Sequence, residues 1–149
     1  MLRGNETGQP EKDFVPLTIL SIDHGAKRIG LAIKPAGQKM VLPLGIVPGD
    51  RGKDSLNFIR RVITERKADI VVVGLPLHHE DSQAREVKKF TRKLREGVHG
   101  VRWKFVDETL TSQGALDRMR DSGLEGTSRR PLDDHAAVLI LEAFLQEQN

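Results

Sequence analysis

The chain of 149 residues carries 24 lysines and arginines against 21 aspartates and glutamates, a net charge of +3, with 38% hydrophobic residues and no cysteine. That length suits one domain with one core, since domains run to roughly 100–200 residues, and the mild positive charge permits a polyanionic partner without demanding one. The lack of cysteine excludes disulfides, thiolate zinc sites and cysteine nucleophiles, which leaves oxygen and imidazole chemistry.

No apolar run approaches the roughly 18–20 residues that cross a bilayer, and the N-terminus has no apolar segment of the signal-peptide kind. The expected location is cytoplasmic, with no membrane partner. Residues 1–15 are polar, with Gly4, Gly8 and Pro10 among charges, and read as a flexible leader. Residues 16–149 read as a single domain. LTILSID, from Leu17, predicts a strand; KRIGLAI predicts a second and VLPLGIV a third. The connections around Gly25 and Gly37 are short enough for antiparallel hairpins.

The period then lengthens. In DSLNFIRRVITERKAD the apolar residues Leu56, Ile59, Val62 and Ile63 fall at helical spacing, with Asp54 or Ser55 placed to cap. IVVVG, Ile70 to Gly74, is a continuous apolar run of the kind found in a strand covered on both faces. DSQAREVKKFTRKLRE predicts a helix with the stripe Val87, Phe90 and Leu94 after an Asp81 or Ser82 cap. VRWKFVDE predicts a fifth strand, TSQGALDRMRDSG a helix, and LDDHAAVLILEAFLQ a final helix; DSGLEGTSRRP, ending at Pro131, reads as a mobile loop. Strands separated by helices prefer right-handed parallel crossovers. The order therefore predicts an α/β fold: a mixed five-stranded sheet, with three antiparallel strands and then parallel crossovers, flanked by helices.

Alternation along the first strand puts Ile19, Ser21 and Asp23 on one face and Leu20 and Ile22 on the other. Asp23 thus stands at the carboxyl end of a central strand. The fifth strand ends in Asp107 and Glu108, and the last helix opens with Asp133 and Asp134. Carboxyl ends of parallel strands and helix N-termini share one rim of such a sheet, so three acidic clusters can converge there. Converging carboxylates repel unless a cation neutralises them, and oxygen-only ligands favour Mg2+ or Mn2+. Two such ions activate water for phosphodiester cleavage. Each residue also has a plainer reading: Asp133 as a helix cap, Asp107 as a strand terminus, Asp23 as a turn former.

The motifs carry a resemblance. IDHGAKRIGLAI resembles the strand-turn-strand opening of the YqgF family, also called RuvX. VVVGLPL followed by DSQAREVKKF is similar to the family's second motif, VDETLTSQGA to its aspartate-glutamate motif, and LDDHAAVLILEAFL to its last helix. The resemblance covers about Leu17 to Gln146. It implies an RNase H-like fold and a metal-dependent nuclease related to Holliday junction resolvases, with maturation of the 5′ end of 16S ribosomal RNA as the bacterial role. Carried over by position, the catalytic and metal-binding set is Asp23, Glu108 and Asp133, with Asp107 as the alternative to Glu108. Thr109 stands where the family has arginine, and His78 and His79 replace its asparagine-rich turn; these two, with His24 and His135, read as solvated loop histidines.

Six cations, Arg85, Lys88, Lys89, Arg92, Lys93 and Arg95, crowd the second long helix against Glu86 and Glu96. Lys27, Arg28, Arg129 and Arg130 lie nearer the acidic residues in sequence and are placed to hold a phosphate backbone, Lys88 and Arg92 further out. Tyrosine is absent and aromatics amount to 4%, so no stacking platform for bases stands out. The expected partner is structured RNA or branched DNA, and the expected assembly a monomer or a homodimer, the latter required of a resolvase because two strands are cut symmetrically. The other classes weighed are a non-catalytic RNA-binding factor of the same fold and an actin-like nucleotide hydrolase, which needs a second domain to clasp its nucleotide.

Overall fold

Two hairpins open the fold. In the computed structural model, which describes residues 15–76, 81–107 and 129–148, β1 (Ile19–His24), β2 (Arg28–Lys34) and β3 (Leu42–Pro48) pair antiparallel in succession. The chain then crosses through α1 (Lys53–Glu65) to β4 (Ile70–Leu75), and through α2 (Asp81–Arg95) to β5 (Arg102–Asp107); α3 (Arg129–Glu147) follows. β4 runs parallel to both β1 and β5, so the sheet order is β3-β2-β1-β4-β5 with β1 central, as the element order predicts. β4 is buried along its whole length, which explains why its sequence does not alternate.

The two faces of β1 feed two cores. Leu20 and Ile22 join Ile59 and Ile63 of α1 and Val87 and Leu94 of α2. Ile19 joins Ile140, Leu141 and Phe144 of α3, and α3 touches all five strands. Among the described residues, one face therefore carries two helices and the other one long helix, apolar on most of its sides because it lies flat against the sheet.

Three boundaries differ from expectation. Asp54 and Ser55 do not cap α1. Gly52 occupies the N-cap without a side-chain bond, and the buried Ser55 hydroxyl donates instead to the Pro48 carbonyl, which fastens α1 to the end of β3. Asp81 stands inside α2 at its first position. α3 starts at Arg129, so the last three residues of the expected loop are helical; Pro131 is accommodated because N–H groups in a first turn have no intrahelical acceptor. Asp133 consequently sits inside the helix, which removes its capping role. The helix expected from Thr111 to Gly123 lies outside the described residues.

Lys34 is a cation buried in the sheet. It is 2% exposed, and its Nζ donates to the carbonyls of Val15, Pro35 and Gln38 at 3.3, 3.2 and 2.9 Å. Burial pulls its pKa below the ordinary 10.5.

Candidate active site

Ser21, a buried hydroxyl on the α3 face of β1, donates a 2.7 Å hydrogen bond to the carbonyl of Ala137. Together with the packing of Ile19 among Ile140, Leu141 and Phe144, this sets α3 antiparallel to β1. Moving from Ser21 to Asp23 advances roughly 6.6 Å toward the carboxyl end of the strand. Moving from Ala137 back to Asp133 is about one helical turn, roughly 6 Å, in the same direction. The two backbones therefore bring Asp23 and Asp133 to one edge of the sheet.

Asp23 is half-buried and belongs to the α3 face by its alternation with Ser21. Its cross-strand partner is Gly30, which presents no side chain beside it. Two residues before Gly30 on the same face comes Arg28, at the entry to β2. Lys27 is exposed in the connecting turn. That turn is closed by the Gly25 N–H donating to the Arg28 carbonyl at 2.9 Å, and is held from outside by the Gly49 N–H donating to Lys27 at 2.8 Å. Gly49 approaches so closely that a Cβ there would lie 2.7 Å from the Gly25 carbonyl oxygen and 2.8 Å from that of Ala26. The loop before α1 thus props the turn that follows the strand bearing Asp23.

Asp107 is on the other side. It pairs in register with Leu75, which belongs to the core beneath α1 and α2, as do Trp103 and Val73 on the same alternation. Val106, by contrast, packs with α3. Asp107 and Asp23 therefore project from opposite faces. Glu108 lies outside the described residues, as do Thr109, His78 and His79. Among the described residues no group of three histidine or acidic side chains is gathered to hold a metal; of the set Asp23, Glu108 and Asp133, only Asp23 has a described side chain.

His24 is no solvated loop histidine. It ends β1 on the α2 side, its ring centroid 4.5 Å from that of Phe90, and burial lowers its pKa while Glu86 works in the opposite sense. His135 is exposed on α3. Five of the six cations of α2 border two clefts. Lys89 and Lys93 border one with His24 and Phe90; Lys88, Arg92 and Arg95 border another with Phe105 of β5. Lys88 and Arg92 are thus on the sheet face opposite Asp23. Arg129 and Arg130 stand in the first turn of α3, and their side chains lie outside the described residues. Sequence reasoning missed Ser21 and Gly49 as positioning residues; serine amid apolar strand residues, facing a helix, was the available signal for the first.

Comparison with known proteins settles the family. The profile of RuvX, described as Holliday junction resolvase, matches residues 17–147. The chain belongs to this family. A RuvX relative from Marinobacter nauticus bearing the name "Putative pre-16S rRNA nuclease" is 36% identical over 137 residues, covering 87% of this chain and 93% of the relative. Among solved structures, T. thermophilus RuvC in complex with a Holliday junction substrate superposes with a TM-score of 0.56 at 16% identity, over 89% of this chain and 94% of that one. The fowlpox virus Holliday junction resolvase gives 0.54 at 14% identity, over 89% and 100%. At such identities the superpositions speak for the fold, which is RNase H-like. The protein is a RuvX-family nuclease with that fold. No helix among the described residues is long and apolar enough to cross a membrane.

Proposed function

We propose that this protein is a divalent-metal-dependent nuclease that trims the 5′ end of precursor 16S ribosomal RNA, with Asp23, Glu108 and Asp133 as its catalytic, metal-holding carboxylates. The observation that carries this reading is the antiparallel run of α3 along β1, fixed by Ser21 and Ala137, with Asp23 and Asp133 at one sheet edge. Asp107 faces away from Asp23, which supports its alternative, Glu108, as the third ligand.

A hard cation suits these donors. Asp23 offers oxygen donors on a rigid strand, and its cross-strand partner Gly30 has no side chain. Held there, Mg2+ or Mn2+ would supply Lewis-acid activation of water and charge neutralisation at the leaving oxygen. The chain's own groups do the rest: the carboxylates fix the coordination sphere, and Arg28, on the same face, holds a phosphate oxygen of the scissile strand. Lys27, Arg129 and Arg130 extend the positive rim of that edge to the flanking phosphates. Lys88 and Arg92 contact the strand further away.

The name of the Marinobacter nauticus relative favours precursor 16S RNA as substrate. The family description favours a second reading, cleavage of four-way DNA junctions by a homodimer. Both are tested by incubating a precursor 16S fragment and a four-way junction with the protein, with and without Mg2+ or Mn2+. Metal-dependent release of the mature 5′ end, lost in Asp23→Asn, is the expected result. Undiminished cleavage by Asp23→Asn would reject the mechanism.

A further inference from the structure

Phe105 is 45% exposed, although it lies in a strand of the central sheet. β5 is the last strand in the sheet order, and Phe105 looks out on the α2 side into an open groove of about 430 Å³. The opposite wall is α2, where Lys88, Arg92 and Arg95 follow one another at helical spacing of four and three, beside Thr91 and Glu96. Thr91 is buried, its hydroxyl donating to the Val87 carbonyl at 2.8 Å, so it forms the floor. The Arg95 guanidinium stands 5.6 Å from the centroid of the Trp103 ring, which holds the cation against β5. Three cations and one carboxylate thus line the wall opposite a solvent-facing aromatic ring.

An exposed phenyl ring flanked by cations matches the two faces of single-stranded nucleic acid, whose bases stack and whose phosphates carry the charge. A duplex hides its base faces and has no use for the ring. We propose that the groove between α2 and β5 binds a single-stranded segment of RNA or DNA, one base stacked on Phe105 and neighbouring phosphates held by Lys88, Arg92 and Arg95. Phe105 is two residues, roughly 7 Å, before Asp107, where β5 ends at the carboxyl edge of the sheet. A strand leaving the groove in that direction reaches the carboxyl edge of the sheet. This last point alone rests on the nuclease reading; binding itself does not.

The test is fluorescence anisotropy with 12-nucleotide oligouridine and oligothymidine, and with a duplex of equal length, all in EDTA so that catalysis and metal play no part. Both single strands should bind more tightly than the duplex. Phe105→Leu, which keeps an apolar contact but removes the stacking ring, should weaken them about 5- to 150-fold, and Phe105→Tyr should restore most of the affinity. Lys88→Gln with Arg92→Gln should flatten the dependence of log K on log salt by about 1.4, which is 0.7 for each lost contact. Thermal melts establish that the variants remain folded, as expected for changes at an exposed ring and two surface cations. Equal binding of Phe105→Leu and wild type, or preference for the duplex, would overturn the proposal. Cleavage that still requires Asp23 in that event would leave the nuclease reading standing, so the two fail separately.

Discussion

The hydroxyl of Ser21 and the carbonyl of Ala137, 116 residues apart in the chain, meet at 2.7 Å. This bond fixes how far α3 slides along β1, and so how close Asp133 comes to Asp23. Ser21→Ala should destabilise the fold by about 0.5–1.5 kcal/mol, the net value of a typical buried hydrogen bond, measured by urea denaturation. Cleavage should fall as well, because the helix loses its register. A variant with unchanged stability and full activity would show that apolar packing alone holds α3.

Gly49 has no room for a side chain. The Cβ of alanine would press on the carbonyl oxygens of Gly25 and Ala26, both backbone atoms. Gly49→Ala should cost about 1–3 kcal/mol, as overpacking does, and should weaken Mn2+ binding because the displaced turn begins two residues after Asp23. Calorimetric titration with Mn2+ reads the second effect. Wild-type metal affinity in a folded Gly49→Ala protein would remove the propping role.

Asp107 and Glu108 should behave unequally. Asp107 shares the face of Leu75, away from Asp23. Glu108→Gln should reduce cleavage about 100-fold or more, the loss expected when several kcal/mol of metal-borne stabilisation go, while Asp107→Asn stays within about 10-fold of wild type. Single-turnover cleavage with saturating Mg2+ measures both. The reverse ranking would assign the site to the α2 face.

Lys34 predicts an alkaline stability gradient. Its folded pKa lies below the ordinary 10.5 because burial disfavours the ammonium. The unfolded chain therefore binds more protons in the range just under 10.5, and stability contributed through this residue rises with pH across that range. Denaturation of wild type and Lys34→Met at several alkaline pH values should show a slope in the wild type that is shallower in the variant. Identical slopes would contradict the assignment.

Much of the fold was legible in the chain because each signal had a single physical source. The alternation of β1, the unbroken apolar run of β4 and the helical spacing of Leu56, Ile59 and Ile63 each named an element and its buried face. What was hidden depended on partners. Alternation told Asp107 from Glu108 by side, but which side α3 covers is set by a bond between Ser21 and a residue of another element. The start of α3 was read too late because Asp133 resembles a cap and Pro131 a breaker, though a first turn tolerates proline. Composition concealed Phe105: with aromatics at 4%, a single ring matters only once β5 is known to be an edge strand beside a basic helix wall.

The central claim is that Asp23, Glu108 and Asp133 hold divalent ions together at one sheet edge. Anomalous diffraction from a manganese-soaked crystal tests it most directly. Manganese peaks ligated by the carboxylate oxygens of all three residues are expected; manganese bound at Asp107, or none at Asp23, would rule this arrangement out.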